Sequence, residues 1–162
     1  MKIQDLNQLL GLTNTDQALI DAISQLGGDV AKLSAKKMRE EGSDFVNLVD
    51  AGVSLAFLTR AGYESDHATP RGAGPFVFGA AFYYPFGGSE VEAFAGPSPF
   101  ADSTLQTRED ALRAYGTPDI TEEDDDEIDW DEWEKDGLQV RVSYKSDLRI
   151  SDISVAVPMV DR

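Results

Sequence analysis

The sequence predicts an α+β fold: two N-terminal helices and one later short helix packed on an antiparallel sheet, all in a single domain over residues 1–162. Three observations carry that expectation. Apolar residues recur at helical spacing through the first 26 residues. Beyond residue 44 the pattern changes to short apolar runs and strict alternation, punctuated by Gly, Asp and Pro. A chain of 162 residues with 41% apolar content is long enough for one full core, short for two, and too apolar to be disordered throughout.

Ile3, Leu6, Leu9 and Leu10 define a first helix, which Gly11 closes. A second starts near Asn14, with Asn14 and Gln17 as a capping box and Asp16 in the first turn. Its apolar face is Leu19, Ile20, Ile23 and Leu26, and Gly27-Gly28 ends it. Residues 30–43 are polar and partly basic, and read as a surface connection. Two short strands, Phe45–Val49 and Val53–Phe57, flank a turn at Asp50-Ala51-Gly52. A loop of turn formers from Arg60 to Pro75 leads to the most aromatic strand, Phe76–Tyr84, with Phe76, Phe78 and Phe82 on one face unless a bulge intervenes. Val91–Phe94 is expected to return beside it. Thr107 opens a short helix with Asp110 as reciprocal cap; Ala111, Leu112 and Tyr115 face inward, and Gly116 with Pro118 stops it. Strands at Leu138–Lys145 and Ile150–Val157, joined at Ser146-Asp147, complete the sheet. Phe78, Phe82, Leu138, Val140 and Val142 are the expected core.

A candidate internal repeat covers residues 14–95 and 104–158. Phe45 and Leu48 precede Gly52 at the offsets by which Trp130 and Trp133 precede Gly137, and alternating apolar residues follow both glycines. Two tandem helix–hairpin–strand modules would share one antiparallel sheet.

The stretch Asp119–Gly137 stands apart. It carries twelve acidic residues against Lys135 alone, a local charge of −11 out of a total of −16, and it holds both tryptophans. Residues 119–136 read as an acidic loop fixed to the sheet edge, suited to holding a cationic partner and poorly suited to catalysis. The expected contact residues are Glu122, Glu123, Asp124, Asp125, Asp126, Glu127, Asp129, Trp130, Asp131, Glu132 and Glu134. Side chains three apart on a strand point to opposite faces, so one tryptophan faces the core and the other faces out. Trp133, nearer the strand, is the core choice; Trp130, ringed by carboxylates, is the candidate anchor. A rival surface is the concave sheet face, using Tyr83, Tyr84 and Arg141.

Other chemistries find little purchase. The absence of cysteine removes disulfides, thiolate metal sites and a thiol nucleophile. His67, the one histidine, has Ser65 and Asp66 beside it, but triad groups converge from separate elements rather than from adjacent positions. No G-x-S-x-G, H-E-x-x-H or P-loop occurs. The acidic run misses the calcium-loop pattern, with Ile128 and Asp129 where an acid and Gly are wanted. The expectation is therefore no enzyme, no metal and no cofactor. A charge of −16 repels nucleic acid and anionic membranes and favours basic proteins. The N-terminus has no signal-peptide pattern or membrane span, so the expected location is the cytoplasm.

Several stretches together carry a family resemblance: a helix ending in L-G, the D-x-G-V-S-L-x-F hairpin, an aromatic strand, T-R-E-D-A-L-R-A-Y-G-T-P, W-x-x-D-G-L-Q-V-R-V-S-Y and I-S-D-I-S-V. The chain from Leu19 to Val157 resembles small immunity proteins of bacterial toxin systems, which neutralise type VI, contact-dependent or pyocin-like effectors. Its later unit is also similar to inhibitor modules built as a helix on a curved sheet, including the β-lactamase inhibitory architecture, although it lacks the lipobox cysteine of exported relatives. The resemblance implies inhibition by binding, with no catalytic residue to transfer. The function expected is an immunity protein that blocks the basic active cleft of a cognate secreted toxin through its acidic surface. The alternative is an acidic nucleic-acid mimic or adaptor that binds a basic protein without a toxin partner.

Overall fold

Val140 and Val142 are fully buried, and the alternation that turns them inward organises a single sheet. The computed structural model describes residues 3–160; residues 1, 2, 161 and 162 of the expected domain lie outside them. Seven strands pair throughout in antiparallel fashion: β1 (Ser43–Leu48), β2 (Val53–Thr59), β3 (Phe76–Tyr83), β4 (Ile120–Asp124), β5 (Glu127–Lys135), β6 (Leu138–Tyr144) and β7 (Ile150–Ala156). Their order across the sheet is β1-β2-β3-β7-β6-β5-β4. Four α-helices accompany them: α1 (Gln17–Gln25), α2 (Ala35–Glu41), α3 (Arg60–Asp66) and α4 (Arg108–Tyr115). The fold is α+β, as the sequence predicts.

One sheet face is packed. Leu6, Leu19, Ile23, Met38, Ala111 and Tyr115 from the helical segments share one core with Leu55, Phe57, Phe78, Tyr83, Trp133, Val140, Ile153 and Val155 from the strands. The other face carries the alternate residues. Its central row runs Asn47, Ser54, Phe82, Ser154, Arg141 and Glu132 from β1 to β5. Phe45, on the same face, is 42% exposed. Hairpins β1–β2 and β5–β6 flank the central β3–β7 pair, the order that two tandem hairpin–strand units meeting at that pair would give. Gly52 and Gly137 both hold positive φ in the two hairpin turns. At Gly52 a Cβ would lie 2.4 Å from the Phe94 nitrogen, so residues 92–94 also exclude a side chain there; at Gly137 the space is open. The units differ in their joints, since α3 links β2 to β3 whereas a tight turn links β6 to β7.

Local expectations shift where a tertiary partner outcompetes a local one. The first helix is a 3₁₀ helix, Ile3–Leu9. Asn14 does not cap α1: its side chain accepts from the Phe76 N–H, the N-cap is Asp16, and the carboxylate of Asp16 turns back to the Thr13 N–H and hydroxyl. The connection at 30–43 contains α2, capped by Ser34 and anchored by buried Met38, and the loop after Arg60 begins with α3, capped by Thr59. Val91–Phe94 forms no strand; it binds by single backbone bonds to Val49 and Tyr84. A bulge opposite Ala56/Phe57 breaks the period in β3. Phe78 therefore faces the core while Phe82 goes to the opposite face, 6.2 Å from the ring of Phe45. α4 follows the sequence reading, with Thr107 and Asp110 forming the full capping box. Among the described residues no helix is long and apolar enough to cross a membrane.

Candidate partner-binding surface

The acidic run folds as a hairpin at the sheet edge rather than as the expected loop. β4 and β5 pair from Ile120↔Glu132 to Asp124↔Glu127, and Asp125 and Asp126 make the two-residue turn. Both turn residues have positive φ, 51° and 66°, as a primed hairpin turn requires. Asp tolerates this conformation better than most residues. Further along, Asp136-Gly137 makes the same kind of turn between β5 and β6.

Glu122, Glu123, Asp124, Asp125, Asp126, Glu127 and Asp129 are all exposed. None of the seven makes an ion pair with a described residue. β4 is also the last strand of the sheet, and all five of its residues are exposed. An edge strand offers unpaired N–H and C=O groups, and a row of carboxylates along it repels a second copy while attracting a basic strand. Among the described residues no cluster of three or more His, Asp or Glu is arranged to hold a metal ion.

Three of the expected contact residues have other roles. Asp131 has no exposed surface, and it lies on the core face beside Val142. It accepts from Arg108 Nε at 2.8 Å and Nη2 at 3.2 Å, from Tyr144 Oη at 2.6 Å, and from the Thr121 hydroxyl. Burial alone would raise its pKa; the donors from Arg108, Thr121 and Tyr144 overcome that and hold the carboxyl below its ordinary range. The same network raises Arg108, chiefly through its bond to Asp131, while burial and then Asp131 push Tyr144 up. Asp131 thus ties the start of α4 to β4, β5 and β6, and no partner can reach it. Glu132 is 6% exposed and binds Arg141 through Oε1 at 3.0 Å, on the opposite face. Trp130 does face outward, but the Arg141 guanidinium lies 3.9 Å from its ring centroid, so one side of the anchor is already covered. Trp133 is the core tryptophan, with its indole N–H donating to the Gly116 carbonyl at 3.0 Å. Glu134 remains exposed.

The rival face also changes. Tyr83 is buried on the core side, where its hydroxyl donates to Asn7, so only Tyr84 and Arg141 of that trio reach the open face. Sequence reasoning passed over Asp152 there and assigned Phe82 to the core instead. Asp152 pairs across from Ser143, next to Trp130 in the same row, and Phe82 joins Phe45. The S-D-I-S-V alternation of β7 carried the signal for Asp152, because it places the acid on the face opposite Ile153 and Val155. His67 has a structural place: its ring stacks on Tyr63 at 5.3 Å and its Nδ1 lies 2.8 Å from the Val157 carbonyl oxygen.

No protein-family model, curated protein or solved structure matches this chain.

Proposed function

We propose that the protein is a non-catalytic immunity protein: it binds a cognate secreted bacterial toxin in the cytoplasm and blocks a basic active cleft with the β4–β5 hairpin. The observation that carries the electrostatic half of this reading is the run of seven exposed carboxylates, none in an ion pair with a described residue. Charges left unneutralised within about one Debye length of each other, ~8 Å at physiological salt, add to a field that steers a cationic partner. The hairpin meets that demand on a rigid support, since its base is held by the Asp131 network and by Trp133 in the core. The toxin half rests on the sequence resemblance, which implies inhibition by binding. Carboxylates in a solvated row are not held apart across a cleft, as the acid–base pair of hydrolytic chemistry must be.

Co-expression with the product of the adjacent reading frame tests the proposal. The expected result is a stable complex and restored growth of cells that the product alone arrests. A complex without restored growth would assign the adaptor role instead, and the absence of any complex would remove the toxin from the account.

A further inference from the structure

We infer that the open sheet face around Asp152 is a docking surface for a Lys- or Arg-bearing segment of the basic partner, whose cationic head group pairs with the Asp152 carboxylate. This inference rests on the functional reading above and locates a second contact beyond the hairpin. Three features of the face support it. Between Phe82 on β3 and Arg141 on β6 its floor is β7, which presents the small side chains of Ser154 and Ala156, with Asp152 in the next row. Phe45 and Phe82 form an edge-to-face pair on one side, and Trp130 with Arg141 stands on the other. A cavity of about 430 Å³, lined by Phe45, Ser54, Tyr84, Glu90 and the Lys37–Asp44 ion pair, opens at the β1–β2 end. A sheet face shaped in this way accepts an extended segment, whose alternate side chains all point down onto it.

Charge selects the occupant. Glu122, Trp130, Ser143 and Asp152 occupy one row of the face, and Arg141 and Glu132 lie in the next. Arg141 is the cation whose charge acts on Asp152, but it is held by the Trp130 ring at 3.9 Å and by Glu132 at 3.0 Å. Asp152 forms no ion pair within 4 Å with a described residue; its neighbours are Ser151, Tyr84 and Arg141. Burial pushes its carboxyl up to about 6, and the Ser151 hydrogen bond and the Arg141 charge only partly oppose that. A desolvated carboxylate without its own counter-ion weakens the fold and strengthens any complex that supplies one.

The test is a ¹⁵N-resolved NMR titration of the full chain with an acetylated, amidated peptide alternating valine and arginine. The same peptide with citrulline in place of arginine serves as the neutral isostere. The arginine peptide is expected to shift the amides of Ser143, Asp152 and Ser154 and the Trp130 indole, and the citrulline peptide to leave them in place. Asp152→Asn should weaken peptide binding roughly tenfold or more, the size of one charge-assisted hydrogen bond. It should also raise the melting temperature at neutral pH, a combination that a purely structural carboxylate would not give. Ser154→Lys, which places a cation two residues along the same face, should block the peptide independently. Shifts confined to residues 122–129, or equal affinity in both variants, would overturn this inference and leave the hairpin proposal standing. An absence of shifts anywhere would remove both.

Discussion

Replacing Asp131 by Ala removes the acceptor for four hydrogen bonds at once, from the side chains of Arg108, Thr121 and Tyr144. It also leaves a guanidinium facing the protein interior. Removing one partner of a buried pair costs about 3–5 kcal/mol, because the remaining charge goes uncompensated. The Arg108 side chain is 22% exposed, so water reaches part of it and the lower end, about 3 kcal/mol, is expected. For a domain of this length that corresponds to a fall in Tm of about 6–12 °C. Urea unfolding followed by tryptophan fluorescence measures it directly, since Trp133 lies two residues from the lesion and is buried. The double variant Arg108→Met, Asp131→Ala should recover a substantial part of the loss, since it removes the orphaned charge along with the acceptor. A single-variant loss below about 1 kcal/mol, the range of an exposed ion pair, would refute the claim that this acid belongs to the fold rather than to the partner surface.

The pH dependence of Asp152 has the opposite sign from that of Asp131. Its folded pKa lies above the unfolded value, so the folded state retains the proton longer and stability falls as pH rises from about 4 to 6. The full shift corresponds to at most about 3 kcal/mol. The stability gain of Asp152→Asn over the parent should therefore be near zero at pH 4, grow to pH 6 and level off above; a gain independent of pH would contradict the assignment. Val140→Ala, at a fully buried position, should cost about 2 kcal/mol in urea unfolding, whereas Phe82→Ala on the open face should cost less than a buried Phe→Ala, about 3–5 kcal/mol. Equal losses of 3–5 kcal/mol at both sites would mean that the open face is packed like the core.

The alternation of β6 and β7, the capping box of α4 and the opposite facing of Trp130 and Trp133 were legible because each follows from local periodicity or local hydrogen bonding. What lay hidden depended on distant partners. Asn14 reads as a cap until the Phe76 N–H of β3 competes for its side chain. Phe82 reads as core until the bulge opposite Ala56/Phe57 reverses its direction. The acidic stretch reads as a loop because Asp and Glu are poor strand formers. Pairing with β6, the primed turn at Asp125-Asp126 and the burial of Trp133 override that propensity. Within the candidate surface, composition marked the exposed acids, but it could not separate them from Asp131 and Glu132. Only the positions of Arg108 and Arg141 on other elements make that distinction.

The central claim is that the exposed carboxylates of the β4–β5 hairpin capture a basic partner. Stopped-flow association with the product of the adjacent reading frame, across a range of salt, tests it most directly. The parent protein should bind rapidly at low salt and slow by one or more orders of magnitude by roughly 0.5 M, where the Debye length has contracted to about 4 Å. Neutralising Asp124, Asp125 and Asp126 together should flatten that dependence, with the melting temperature unchanged or raised because like charges are relieved. An on-rate that is flat with salt in the parent, or identical in the neutralised variant, would contradict the account.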